Sequence, residues 1–314
     1  MSSHNFPSHH PITPSPHHPS SPTLKPTDDG SYTFFSQEFE ELYHSHSGAK
    51  QEAEYKFVEP CQLKNKAQIK SSLKILDICY GLGYNSSAAL ATIWSVNPNC
   101  QVKLMALEKD ETVSRQAIFH QLLTHWPAPV PSYLETLAQS HYIQSSSSLY
   151  PLTAKLWVED ARISLKALVN SGFKADAIFL DPFSPPKCPQ LWTVEFIALV
   201  AQCLKPDGYL ATYSCAACIR KALQLTGLSL EATRGVGRRS PGTLASWKNQ
   251  DHLALSEQEW EHLQTRAAIP YRDPQLEDTA IMIHNRREKE QQESSLEPSS
   301  HWKKRWIKTR DKSD

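Results

Sequence analysis

The strongest constraint on the fold is the regular alternation of short β-type runs with helical stretches through the middle of the chain. Lys74–Ile78 is an apolar run closed by Gly81 and Gly83, and Ser86–Trp94 then reads as helix. Val102–Glu108 is a second run, with a helix from about Asp110 to Leu123. Ala154–Val158 is a third, ahead of a helix near Ala161–Asn170; Ala175–Asp181 is a fourth and Gly208–Tyr213 a fifth. Parallel strands need crossover connections, usually helices. The order therefore predicts a mostly parallel sheet with helices on both faces, a Rossmann-like α/β fold. Ligands of such sheets sit outside the carboxyl ends of the strands.

Those ends carry acids and glycines. Asp77-Ile78-Cys79-Tyr80-Gly81-Leu82-Gly83 closes the first strand, Glu108 the second, Asp160 follows the third and Asp181 ends the fourth. Glycines let backbone approach a ligand at a helix N-terminus. An acid at the end of the second strand accepts hydrogen bonds from both ribose hydroxyls of an adenosyl ligand, and Asp160 falls where it would meet an adenine amino group. One such acid is often only a helix cap; four at successive strand ends point to an adenosine-containing cofactor. The dinucleotide pattern G-x-G-x-x-G is incomplete, because Ser86 stands at its third glycine, so S-adenosylmethionine is favoured over NAD.

Composition bounds the rest. Thirty-three Lys and Arg balance thirty-three Asp and Glu, so no global charge marks a nucleic-acid or membrane protein. No apolar run approaches the roughly 18 to 20 residues of a membrane span, and the N-terminus lacks a signal-peptide pattern. Seven scattered cysteines fit reduced thiols in the cytoplasm better than a disulfide framework. Cys215-Ala-Ala-Cys218 lacks a second ligand pair, so no metal is expected. Residues 1–30 hold seven Pro and five His, and the expected organisation is a disordered leader over 1–28 and an N-terminal hairpin over 29–70. A catalytic domain over 71–250 and a C-terminal extension with a basic tail over 251–314 complete it. Cys218–Gln250 carries six Lys or Arg against Glu231 alone, a plausible phosphate patch or a solvated loop. Trp302-Lys303-Lys304-Arg305-Trp306 suits base stacking and phosphates, or packing of the two Trp on the domain.

L-D-I-C-Y-G-L-G-Y-N, D-P-F-S-P-P-K-C-P-Q-L-W-T, L-K-P-D-G-Y-L-A-T-Y-S and G-V-G-R-R, with the opening segment Asp29–Ala49, resemble one methyltransferase family. It is the methyltransferase half of the bacterial 5-methylaminomethyl-2-thiouridine biosynthesis protein, with its stand-alone relatives. The resemblance implies S-adenosylmethionine-dependent methylation of the primary amine of 5-aminomethyluridine at the tRNA wobble position. It also implies no FAD, because the chain is too short for the oxidase half, and no obligate protein partner is inferred. Cofactor contacts fall on Tyr43, Ser45, Asp77, Gly81, Gly83, Asn85, Glu108, Asp160 and Ala161. The catalytic loop is Asp181, Pro182 and Phe183: Asp181 orients the amine, and Pro182 and Pro185 stiffen the loop so that its carbonyls face the substrate. tRNA contacts fall on Arg234, Arg238, Arg239, Lys303, Lys304 and Arg305. Cys79 departs from the family's glycine at that place. The alternatives are an aminopropyltransferase of the spermidine-synthase type and a non-catalytic tRNA-binding module.

Overall fold

The computed structural model describes residues 23–236, 240–247 and 255–310. Eleven strands are present among them: β1 Thr23–Pro26, β2 Tyr32–Ser36, β3 Glu41–Leu42, β4 Ser72–Ile78, β5 Gln101–Glu108, β6 Tyr142–Ser145, β7 Leu152–Val158, β8 Ala175–Leu180, β9 Leu204–Thr212, β10 Ser229–Ala232 and β11 Thr243–Ser246. Eight form one sheet in the order β10-β11-β9-β8-β4-β5-β7-β6. The five inner strands β7, β5, β4, β8 and β9 are parallel, and antiparallel strands close both ends. These five are the strands the alternation predicts, and the fold is the Rossmann-like α/β architecture expected. The edge strands β6, β10 and β11 and the helix Val130–Ser140 had no comparable signal.

Period-two alternation sends neighbouring side chains of a strand to opposite faces. In β4, Leu73 and Ile75 enter one buried cluster, with the helix Tyr84–Val96. Leu76 and Ile78 enter the other, with the helices Ala161–Asn170 and Val194–Gln202. Among the parallel strands, chain order runs outward from β4 through β5 and β7 on one side and from β8 to β9 on the other, so the winding reverses between β4 and β8. Such a switch point opens a crevice between the diverging loops. The turn there depends on Gly83: its φ is +85°, and a Cβ would lie 2.6 Å from the Tyr80 hydroxyl.

Two expectations about the ends are corrected. Residues 23–28, assigned with the leader, are structured: Thr23–Pro26 pairs antiparallel with Tyr32–Phe35. The turn is fastened by Asp29, whose Oδ1 accepts from Ser31 N at 3.0 Å and Thr27 Oγ1 at 2.9 Å. Proline content had suggested disorder, but an edge strand tolerates Pro26 because its missing N–H can face outward. Residues 1–22 lie outside the described residues. At the other end the extension docks. The Trp302 ring stacks on His262 at 4.0 Å and its Nε1 donates to Gln258 O at 3.0 Å. Trp306 Nε1 donates to Glu261 Oε2 at 2.9 Å. The two Trp thus pack, but on the helix Glu257–His262 of the extension itself and not on the catalytic domain, which the extension meets through Arg220–Glu259 at 2.8 Å and Arg162–Asp273 at 3.2 Å.

Candidate active site

A cleft of about 1130 Å³ opens at the carboxyl ends of the parallel strands. Pockets for drug-sized ligands measure roughly 300–1,000 Å³, so this cleft, beyond the upper end of that range, has room for an adenosyl group and a second reactant. Tyr43, Ser45, Gly81, Glu108, Asp160, Ala161, Asp181, Pro182 and Phe183 all line it. Asp77, Gly83 and Asn85 are buried and do not line it; of the three, Asn85 bonds a residue that does, Asp181.

On the β4–β5 side, Glu108 accepts from Gly81 N at 2.8 Å and from Asp110 N at 3.0 Å. Burial raises its proton affinity, and those backbone donors oppose the rise. Asp77 is fully buried at the end of β4 and accepts from Ser86 Oγ at 2.6 Å, while its Oδ1 has no partner. Burial pushes its pKa up to about 7, against the Ser86 hydrogen bond. Asp160 caps the helix Ala161–Asn170 and is held by Arg162 at 2.9 Å. Burial would raise this carboxyl, but the Arg162 hydrogen bonds outweigh it and hold it below its ordinary value. Ser45 donates to Glu52 from both Oγ (2.8 Å) and N (3.0 Å). Cys79, at the family's glycine place, has φ +65°. That left-handed backbone costs a side-chain-bearing residue roughly 1–2 kcal/mol.

This wall suits S-adenosylmethionine. The ribose hydroxyls, the amino groups and the sulfonium are donors or cationic, and the wall offers Glu108 and Asp160 as acceptors, with Asp77 behind it. Glu108 would hold the ribose, and the Gly81 turn would pass beneath it.

On the β8–β9 side, Asp181 follows β8 and accepts from Asn85 Nδ2 at 2.8 Å. Burial raises its pKa well above the carboxylate range, more than the Asn85 bond lowers it. The Pro182 and Phe183 carbonyls, expected to face the substrate, are engaged by aromatic donors from the residue after β9 and from the turn Pro189–Trp192. Tyr213 Oη donates to Pro182 O at 3.0 Å, and Trp192 Nε1 donates to Phe183 O at 2.8 Å. The Phe183 ring lies on the cleft wall, stacked on Phe39 at 4.3 Å and edge-on to Tyr43 at 4.9 Å. Beside them the buried pair Lys56–Glu52 spans 2.8 Å. His44 is held neutral, its pKa lowered to about 4 by burial.

Sequence reasoning missed Glu52, Lys56, Tyr213 and Lys109, which line the same cleft. The i,i+4 spacing of Glu52 and Lys56 was the available signal. Of the expected tRNA contacts, those among the described residues do not line the cleft. Arg234 is exposed after β10, and Lys303 and Lys304 are exposed on the helix Ser299–Arg310. The Arg305 guanidinium is engaged by Glu297 at 2.7 Å and Glu261 at 3.0 Å. Arg238 and Arg239 lie outside the described residues. No group of three or more His, Cys, Asp or Glu among the described residues could hold a metal ion.

The family described as S-adenosyl-L-methionine-dependent methyltransferase matches residues 115–248. The crystal structure of MnmC2 from Aquifex aeolicus superposes with a TM-score of 0.73 at 32% identity, covering 86% of this chain and 84% of that one. The chain belongs to the MnmC methyltransferase family. An uncharacterized protein of Methanocaldococcus jannaschii is 30% identical over 271 residues, spanning 84% of this chain and 71% of the relative. The tRNA 5-methylaminomethyl-2-thiouridine biosynthesis bifunctional protein MnmC of an Azoarcus strain is 30% identical over 234 residues. That match spans 72% of this chain and 34% of the relative, so the chain corresponds to about a third of the bifunctional protein. As a member of this family the protein is an S-adenosylmethionine-dependent methyltransferase. No helix among the described residues is long and apolar enough to cross a membrane.

Proposed function

We propose that the enzyme methylates the primary amine of 5-aminomethyluridine, with or without a 2-thio group, at the wobble position of tRNA. The observation that carries this reading is a half-buried carboxyl, Asp181, on the same cleft as the Glu108 wall and beside an aromatic face, Phe183. The names of the MnmC relatives support the substrate class. An aminopropyltransferase would require a free diamine, and a base-sized aromatic face is not needed for one.

S-adenosylmethionine, when bound, supplies an electrophilic methyl on a sulfonium, and the transfer is an in-line displacement. The acceptor nitrogen must therefore offer a lone pair, whereas an alkylamine like that of Lys is protonated below pH ~10. Asp181 is suited to orient that nitrogen. Asn85 holds its Oδ2, and Oδ1 has no protein partner among the described residues, so it is placed to accept an N–H of the amine. The entering ammonium releases one proton to water and becomes the neutral amine, its lone pair aimed by that hydrogen bond. The N–CH3 bond then forms as the S–CH3 bond breaks, leaving a secondary ammonium. Tyr213 and Trp192, by fixing the Pro182 and Phe183 carbonyls, keep this carboxyl and ring in place, which is positioning of the kind that dominates such displacements.

The test is incubation with labelled S-adenosylmethionine and tRNA bearing 5-aminomethyluridine. Label in a wobble nucleoside that migrates as 5-methylaminomethyluridine is the expected result. No label in this tRNA, with aminopropyl transfer from decarboxylated S-adenosylmethionine to putrescine in a parallel assay, would replace the reading.

A further inference from the structure

The segment between β2 and β3, Gln37-Glu38-Phe39-Glu40, runs along the cleft on the substrate side, and its contacts have an unusual order. Glu38 pairs with Lys109 at 3.8 Å. Phe39 lies flat on Phe183, with centroids 4.3 Å apart and planes 18° from parallel. Glu40 pairs with Lys187 at 2.6 Å, and its φ of +52° is one that side-chain-bearing residues seldom adopt. Glu41 accepts from the Ser184 amide at 3.0 Å and from its hydroxyl. Along the chain the order is anion, flat ring, anion. A single nucleic-acid strand presents the same order as phosphate, base, phosphate, and proteins that hold such strands answer with cations around an aromatic platform. Lys109, Phe183 and Lys187 supply that answer here, and an internal acidic loop occupies all three.

We propose that this tip is an intramolecular substitute for the substrate nucleotide, displaced when the anticodon strand binds. The target base takes the place of Phe39 on Phe183, and the flanking phosphates take Lys109 and Lys187 from Glu38 and Glu40. The proposal rests on the tRNA reading above. The exchange is feasible because the latches are weak: Lys109 and Glu38 are 73% and 68% exposed, and Glu40 is 73% exposed. Exposed pairs of this kind hold little free energy. Phosphates that replace them keep the charge pairing and add counterion release.

The experiment is a salt titration of tRNA affinity for the parent, E38Q/E40Q and K109Q/K187Q. E59Q/E288Q serves as a control that removes the same charge from exposed positions elsewhere. Thermal melts check that each variant is folded. Releasing the latches in E38Q/E40Q should tighten tRNA binding about 2- to 30-fold, the span expected for two exposed pairs, with the control changing much less. K109Q/K187Q should weaken binding and lower the salt slope by roughly 1.4, about 0.7 for each single-strand phosphate contact. Equal responses of E38Q/E40Q and the control, or an unchanged slope in K109Q/K187Q, would overturn the substitute role while leaving the tRNA reading intact. A parent that binds no tRNA would remove both.

Discussion

Replacing Asp77 by Asn should change how stability depends on pH, and by an amount the burial of this carboxyl fixes. Asp77 is fully buried, accepts one hydrogen bond from Ser86 and leaves Oδ1 without a partner. Burial carries its pKa from 3.8 to about 7. The native carboxyl keeps its proton up to about pH 7, whereas the unfolded one loses it near 3.8. The native state therefore binds more protons between these values, and stability falls as pH rises through that window. At ~1.4 kcal/mol per pH unit, the loss approaches about 4 kcal/mol by pH 7 and is flat beyond it. Asn has the shape of the protonated carboxyl, keeps an acceptor for Ser86 and does not titrate. Asp77→Asn should thus match the parent near pH 4 and exceed it by up to about 4 kcal/mol at pH 8. Urea unfolding of both proteins at pH 4, 5, 6, 7 and 8 measures the difference, and groups common to both largely cancel. A difference that stays constant across the series would refute the burial-driven shift.

Three further outcomes are expected. Glu108→Ala removes the acceptor for the ribose hydroxyls, each such charge-assisted bond being worth ~1.5–3 kcal/mol, so calorimetry should show S-adenosylmethionine binding weakened about 10- to 1,000-fold. Asp181→Ala should depress single-turnover methylation far more than cofactor affinity, and a normal rate would leave Asp181 only its contact with Asn85. A chain beginning at Asp29 should melt below one beginning at Thr23, because Thr27 loses its buried hydrogen bonds to Ser31 at 2.9 Å. About 1–3 kcal/mol is at stake, and coincident melting curves would place no weight on β1.

What could be read from the chain follows from which interactions are local. The five parallel strands announced themselves because each is an apolar run, four of them with an acid at or just past the end, as in Lys74–Ile78 and Ala175–Asp181. Edge strands such as Tyr142–Ser145 are half-exposed and carry no such run; they exist through pairing with β7. The cleft residues at strand ends were legible for the same reason, Glu108 and Asp160 among them. Glu52, Lys56 and Tyr213 were not, because their part in the site depends on contacts across the fold. The loop carbonyls illustrate the limit. Proline stiffens the chain after Asp181, but only the tertiary fold brings the Tyr213 hydroxyl and the Trp192 indole to claim Pro182 O and Phe183 O. Composition also misjudged Arg305, whose charge is answered by Glu297, eight residues earlier, and by the distant Glu261.

The reversal of strand order between β4 and β8 has an evolutionary consequence. On the proposed reading, donor-side groups (the glycine turn, Glu108 and Asp160) come from one half of the sheet, and acceptor-side groups (Asp181, Phe183 and the residues bracing them) come from the other. Asn85 joins the two halves at the site by its hydrogen bond to Asp181. Variation after β8 and β9 can thus retarget the enzyme to another nucleophile while the methyl-donor half is inherited unchanged. Variation in the β4–β5 turns has no such freedom, since it strikes every reaction the scaffold could host.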